Sequence, residues 1–340
     1  MSDLLTITPE GLFCAAADAH IDPVRPVAKA IITHGHADHA RAGHGAVLAT
    51  RQTLDIMAIR YGENFCGTAQ DTGYGDTLKV GAVDVSLHPA GHVLGSAQVL
   101  LEAGGKRTVV SGDYKRQSDP TCAPFELVIC DTFVTEATFG LPVFRHPPAR
   151  SEIAKLLASL DLFPDQTHLV GAYALGKAQR VLAEIRAAGY DKIIYLHGAL
   201  EKLTAYYQSQ GIDFGPLEPV GKRGKELQGE IVLCPPGQLS DRWARRFGDP
   251  VAVMASGWMR VRARARQRGA ELPLILSDHA DWDDLCRTIL ETGADQIWVT
   301  HGAEEALVHW CELNGRNARP LNMIGYDDGE DADGAQLEGA

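Results

Sequence analysis

The segment His34-Gly35-His36-Ala37-Asp38-His39 places three imidazoles and a carboxylate within six residues, directly after the apolar run Ala30-Ile31-Ile32-Thr33. Imidazole suits borderline metals such as zinc, and a carboxylate adds a hard oxygen ligand. A loop this short cannot easily wrap all four groups around one ion. Splitting them is easier, with His34 and His36 on one ion and Asp38 and His39 on another. Two further strand ends carry the same chemistry. His92 lies in Pro89-Ala90-Gly91-His92-Val93-Leu94-Gly95-Ser96, where the glycines let the backbone approach closely, and Asp113 in Ser111-Gly112-Asp113 could bridge two cations. Singly, each is an ordinary turn or capping residue. Together with the histidine loop they read as one ligand set. Two metals about 3.5–4 Å apart activate water and clamp the oxygens of a phosphodiester or an ester.

Such a set needs rigid elements that stop where the chemistry starts. Ala30–Thr33, Val83–His88, Thr108–Val110, Leu127–Ile129 and Phe133–Thr135 read as short strands, the last leading to Glu136. From about residue 150 the period changes. Ser151–Leu160 and Lys177–Ala188 have helical spacing and alternate with the short strands Leu169–Gly171 and Ile193–Leu196, a βαβ-like pattern. Near 272 the first style returns: Leu274–Leu276 ends at Ser277-Asp278-His279, a helix follows, and Ile297–Thr300 ends at His301. The simplest organisation is a site-bearing α/β domain, residues 1–140 plus 275–326, interrupted by an inserted α/β domain, 141–274, and followed by an acidic disordered tail, 327–340.

Composition agrees with this. At 340 residues and 45% hydrophobic content the chain is globular and long enough for two domains. Its seven scattered cysteines form no C-x-x-C pair, which argues against a disulfide framework and for a reducing, cytoplasmic setting. No apolar run of about 18 residues predicts a membrane span, and the first residues, Met-Ser-Asp-Leu-Leu, do not read as a signal peptide.

The succession H-x-H-x-D-H, G-H and S-G-D resembles the metallo-β-lactamase fold, an αββα sandwich. Further motifs resemble the β-CASP nucleases, a branch in which that sandwich carries an inserted α/β domain: Glu136 in Thr135-Glu136-Ala137-Thr138-Phe139-Gly140, His279 in Ser277-Asp278-His279-Ala280-Asp281, His301 in Val299-Thr300-His301-Gly302, and the inserted segment Ala174-Leu175-Gly176-Lys177-Ala178-Gln179. The resemblance covers roughly residues 10–325 and keeps the family's motif order. It implies that His34, His36 and His92 hold one divalent ion and Asp38, His39 and His301 a second, with Asp113 bridging. The ions would be zinc, with manganese as the alternative. It also implies that Asp22 in Ile21-Asp22-Pro23 supports the histidine loop. Glu136 and His279 would form a pair at the leaving group, where a carboxylate orients an imidazole and raises its pKa so that it serves as general acid. His20, His44, His88, His146, His168, His197 and His309 then read as structural or surface groups.

The formal charge of −12 argues at face value against a nucleic-acid partner, but six acidic groups sit in 327–340, which holds no basic residue. The opposite sign clusters at Arg260, Arg262, Arg264, Arg266 and Arg268, every second position. On a strand these five guanidiniums would share one face and line a channel for phosphates. Arg242, Arg245 and Arg246 form a second cluster around Trp243, and Trp258 is a candidate for stacking a base. The segments Ala255-Ser256-Gly257-Trp258-Met259 and Ser277-Asp278-His279-Ala280-Asp281-Trp282 resemble a bacterial subgroup, the ligase-associated DNA damage response exonucleases. That resemblance implies a two-metal DNA exonuclease acting in repair, with a DNA ligase and a helicase as partners. The alternatives are a ribonuclease of the same branch, for which His301 speaks, a small-ester hydrolase, which needs no channel, and a non-catalytic scaffold, which would have lost ligands.

Overall fold

The computed structural model describes residues 4–323, and the acidic segment 327–340 lies outside the described residues. Within them the chain forms two compact units, residues 4–145 with 279–323 and residues 146–278.

The first unit opens with β1 (Thr6–Thr8), β2 (Gly11–Cys14), β3 (Ala19–Ile21), β4 (Lys29–Ile31), β5 (His44–Ala49) and β6 (Cys66–Asp71), a sheet whose spatial order is the sequence order. Helix α1 (Arg51–Tyr61) makes the crossover between parallel β5 and β6. It starts on Thr50, whose side chain accepts from the Thr53 amide, and ends on Gly62 with φ +84°. The chain continues through β7 (Thr77–Val80), β8 (Val83–Pro89), β9 (Ala97–Ala103), β10 (Lys106–Val110) and β11 (Thr132–Ala137).

The second unit carries α2 (Ala149–Leu162), β12 (His168–Gly171), α3 (Lys177–Ala187), β13 (Ile194–Leu196), α4 (Gly198–Ser209), β14 (Leu217–Pro219), β15 (Ile231–Cys234), β16 (Val251–Ala255), α5 (Arg262–Gln267) and β17 (Leu272–Leu274). Its sheet is parallel throughout, in the order β14-β13-β15-β12-β16-β17. The central strands Ile231–Cys234 and His168–Gly171 are buried at every position, as expected where helices cover both faces.

The chain then returns to the first unit with α6 (Trp282–Glu291), β18 (Gln296–Gly302), α7 (Glu304–Leu313) and β19 (Asn317–Pro320), completing a sheet of order β19-β18-β11-β10-β9-β8-β7. Val83, Val85, Leu87, Val99 and Leu101 face Leu12, Ile21, Ile31 and Leu48 of the first sheet in one core. On its other face Leu100, Val109, Phe133, Ile297 and Val299 pack on Leu285, Ile289, Leu307 and Cys311 of α6 and α7. Ile32, Val47 and Ala49 pack on Leu54 and Met57 of α1. The first unit is therefore layered helix, sheet, sheet, helix, with alternate strand residues feeding different cores.

The structure moves several expected boundaries. The inserted unit begins after 145 instead of at 141, because Phe144 packs on Phe139 and its carbonyl accepts from the Trp282 amide. It extends to 278 instead of 274, because Lys177 reaches the Leu276 carbonyl and the Asp278 carboxylate. Leu127–Ile129 is not a strand, since both edges of β10 are already paired with β9 and β11. The strand expected at 274–276 is Leu272–Leu274. Beyond it, the Ile275 amide donates to Glu152 of α2 at 2.9 Å instead of to a ladder.

None of the seven cysteines is in a disulfide. Among the described residues no helix is long and apolar enough to cross a membrane.

Candidate metal centre

Strands β8 and β10 are both antiparallel to β9 and therefore parallel to each other, and β10, β11 and β18 are mutually parallel. Their carboxyl ends share one edge, which carries His92, Asp113, Glu136 and His301. In the facing sheet, β3 and β4 are parallel and lead to Asp22 and to the His34–His39 loop. Two turns bring the backbones together. Gly112 has φ +54°, and a Cβ there would stand 2.7 Å from the Thr33 side chain; Gly91 has φ +74°, and its Cβ would stand 2.3 Å from the Lys115 carbonyl. His301 sits at an irregularity in β18, where Glu136 pairs with Thr300 but Ala137 with Gly302. The extra residue takes φ +59°, so a bulge re-aims this imidazole.

His34, His36, His92 and Asp113 offer ligand atoms that all lie within 4.8 Å of one another, and so do Asp22, His34 and His39, and Asp113, Glu136 and His279. The Asp113 carboxylate lies 3.3 Å from His34 Nε2, 3.4 Å from His39 Nε2 and 3.7 Å from His92 Nε2. Asp38 reaches His39 Nε2 at 3.5 Å, and the His301 ring stacks on His39 with centroids 5.1 Å apart. Asp22, with φ +46°, accepts from the Thr33 amide at 2.8 Å and the Thr33 hydroxyl at 2.6 Å. The same carboxylate meets His39 Nδ1 at 2.8 Å, which turns His39 Nε2 toward Asp113. His279 Nδ1 meets one Glu136 oxygen at 2.9 Å, and the other accepts from the Tyr114 amide at 2.7 Å.

This donor set fits divalent cations. Burial, with the neighbouring His39, pulls the His34 imidazole down to about 3. The same two causes pull His301 down to about 4. Burial and the nearby His279 hold His92 well below the ordinary range. These rings are neutral at pH 7 and present lone pairs. Burial alone would raise the Asp113 carboxyl, but His39, His279 and His34 hold it well below its usual range, so it is an anionic oxygen. His39 runs the other way: burial lowers it, and Asp113 with Asp38 outweighs the burial and raises it. His34 Nε2 is buried and faces the Asp113 carboxylate at 3.3 Å, an arrangement in which both could turn toward one cation.

These shifts set a pH response for the metal-free protein. In the unfolded chain the imidazoles of His34, His92 and His301 take up protons near pH ~6.5. In the folded chain they stay neutral to lower pH, so the unfolded state binds more protons in between, and stability falls as the pH is lowered through that window. The His39 contribution is fully present below ~6.5 and is lost only at higher pH, so it does not offset the fall. Thermal melts of chelator-treated protein should give a lower Tm at about pH 5 than at about pH 7; equal values would mean that these imidazoles are already solvated.

The arginine run differs from its expected form. Arg262–Gln267 is the helix α5, because Arg, Ala and Gln are strong helix formers, and Ala265 is buried against Met259. The alternation that mimics a strand therefore divides the guanidiniums between faces: Arg262 and Arg266 lie four apart on one side, and Arg264 stacks over Trp258 at 3.7 Å. Arg260 precedes α5 in a short 3-10 turn and Arg268 follows it. Arg246 stacks over Trp243 at 4.5 Å.

Residues that the sequence reading passed over also shape the centre. Thr33 links Asp22 to His34 Nδ1, 2.9 Å from its hydroxyl, and Arg60 donates to the Gly35 carbonyl at 3.1 Å. Their one signal was position: Thr33 directly precedes the first imidazole. Of the other histidines, His44 accepts from the Val27 amide, His168 pairs with Ser159, and His88 bridges Ser86 and Glu126.

No protein-family model matches the chain. It is 29% identical over 304 residues to a probable DNA ligase of Opitutus terrae, an alignment covering 86% of this chain and 28% of the ligase. It is also 29% identical to ribonuclease TTHA0252 of Thermus thermophilus, with 91% of this chain and 88% of that enzyme covered. Endoribonuclease ysh1 of Aspergillus fumigatus is 32% identical over 139 residues, 39% of this chain and 15% of its own. The chain thus spans well under a third of the ligase and of the fungal enzyme. A crystal structure of a protein of unknown function from Enterococcus faecalis V583 superposes with a TM-score of 0.54 at 14% identity, covering 88% of this chain and 80% of that one. At that identity the likeness speaks for the fold alone.

Proposed function

We propose that the chain is a metal-dependent phosphodiesterase of the β-CASP branch of the metallo-β-lactamase fold, acting as a DNA exonuclease in repair. The observation that carries this reading is the placement of Asp113, one buried carboxylate within 3.7 Å of the three imidazoles His34, His39 and His92. His34, His36 and His92 would hold one divalent ion and Asp38, His39 and His301 another, with Asp113 shared. Such ions supply a water nucleophile at neutral pH and neutralise charge on the phosphodiester oxygens.

The chain's own groups do the rest. Asp22 and Thr33 fix the tautomer and direction of His39 and His34. Glu136, held by the Tyr114 amide, accepts a hydrogen bond from His279 Nδ1–H, so proton delivery to the leaving oxygen falls to Nε2. The imidazole is oriented before substrate arrives.

DNA is favoured by the alignment with a DNA ligase over 86% of this chain. RNA is the second reading, favoured by the near full-length alignment with a ribonuclease. End-labelled single- and double-stranded DNA and RNA, incubated with the protein under zinc and under manganese, decide between them. Ladder-free release of mononucleotides from DNA supports the first reading. Cleavage of RNA alone supports the second, and no cleavage of either removes the nuclease assignment.

The helical form of the arginine run refines a second test. Arg262→Ala/Arg266→Ala removes the two guanidiniums on one side of α5 and leaves Arg264 on Trp258. If both contact phosphate, the salt dependence of single-strand binding flattens by about 1.4 units, from ~0.7 per contact. Hydrolysis of bis-p-nitrophenyl phosphate should hardly change. An unchanged slope would make this side a solvated face.

A further inference from the structure

Within the first unit, a second buried charge pair lies beside the metal centre without belonging to it. The side chains of Lys115 and Asp119 are 1% and 3% exposed, with Nζ 2.5 Å from Oδ2. The other Asp119 oxygen accepts from the Thr121 amide at 2.9 Å and the Thr121 hydroxyl at 2.6 Å. The segment from 115 to 121 is thereby closed into a loop around one ion pair. A buried ion pair of this kind is weak evidence for stability, because desolvation offsets much of the attraction, but it does define a geometry.

That geometry bears on two of the candidate ligands. Lys115 follows Asp113 by two residues, and its amide donates to the Ala90 carbonyl at 3.0 Å, two residues before His92. Its carbonyl packs so closely on Gly91 that no side chain fits there. The His92 amide is in turn fixed by the Ser96 hydroxyl at 3.1 Å. The backbone of Lys115 is thus the tie between the loop bearing Asp113 and the loop bearing His92, whose side chains approach to 3.7 Å.

We propose that the Lys115–Asp119 pair is a positioning device for the metal centre, setting the distance between Asp113 and His92 and hence the affinity for divalent ions. This rests on the reading of Asp113 and His92 as ligands. Neither Lys115 nor Asp119 touches substrate or metal in this role. Groups that orient ligands from behind typically change metal affinity by about 10–100-fold when altered.

Cobalt(II) titration of the full chain tests it, read by the visible absorption of the bound ion and by its dissociation constant, with no nuclease assay involved. Lys115→Met and Asp119→Asn should each weaken cobalt binding about 10–100-fold and change the band shape, and Lys115→Arg should recover much of the loss. Lys115→Met/Asp119→Leu removes both charges and guards against a single variant that fails to fold. It should melt near the wild type when metal-free yet still bind cobalt weakly. Unchanged affinity and spectrum in that double variant would overturn the proposal, whatever happens to Tm. If the wild type itself takes up no cobalt, the metal centre fails and this inference falls with it. If the wild type binds cobalt and the double variant binds it equally, the metal centre stands and only the positioning role is lost.

Discussion

Asp113→Ala is expected to abolish phosphodiester hydrolysis and to leave the folded chain with less metal than the wild type. In the proposed assignment every other ligand would serve one ion, whereas Asp113 lies against His34, His39 and His92 at once. Its carboxyl is held well below the usual range by His39, His279 and His34, so it would supply the negative charge that two adjacent cations require. Removing it would leave two bound cations exposed to each other's repulsion and would delete a donor that both would share. Elemental analysis should fall from about two ions per chain toward one or none, with turnover reduced to background. Asp113→Asn keeps the volume and removes the charge; it should retain more metal than the alanine variant and still lose most activity. Circular dichroism should remain folded for both, because the four layers close around apolar residues on other strands. A variant with wild-type turnover would take Asp113 out of the site.

What could be read before the structure, and what could not, follows from how local each signal is. The His34–His39 loop, Gly91-His92 and Ser111-Gly112-Asp113 are contiguous motifs at strand ends; the first is legible on its own, and the other two become so beside it. Glu136 and His279 are 143 residues apart, and nothing in periodicity joins them. Only the family resemblance paired them; the structure places them 2.9 Å apart, Glu136 near the end of β11 and His279 in the loop before α6. His301 was legible as a histidine after an apolar run, but not the bulge that turns it, since a bulge depends on the register between β18 and β11. The arginine run misled for a physical reason: alternation with alanine has the period of a strand, while the same residues have the propensity of a helix. With Ala265 packed against Met259, tertiary burial decided for the helix. The loop closed by Lys115 and Asp119 was invisible, because a lysine and an aspartate four apart on a polar stretch usually mark a solvated surface.

His279→Ala is expected to lower kcat by about 10²–10⁴-fold while metal content stays near that of the wild type. The competing role is specific: Asp113, Glu136 and His279 also offer ligand atoms within 4.8 Å of one another, so these two residues could belong to a metal instead of to a proton-transfer step. The hydrogen bonds argue for the latter. Glu136 already spends one oxygen on the Tyr114 amide and the other on His279 Nδ1, which leaves it acting on the imidazole. A carboxylate in that position stabilises the protonated ring and fixes its plane, and Phe139 stands edge-on to the same ring at 6.1 Å. Glu136→Gln should therefore cost less than the loss of the imidazole, because the amide oxygen can still accept from His279 Nδ1 while the carboxylate charge is gone. A substrate with a nitrophenolate leaving group, which departs without protonation, should be cut by His279→Ala with much of the wild-type rate. If metal is lost instead, or if the activated substrate suffers as severely as DNA, His279 is a ligand and the general-acid assignment is wrong.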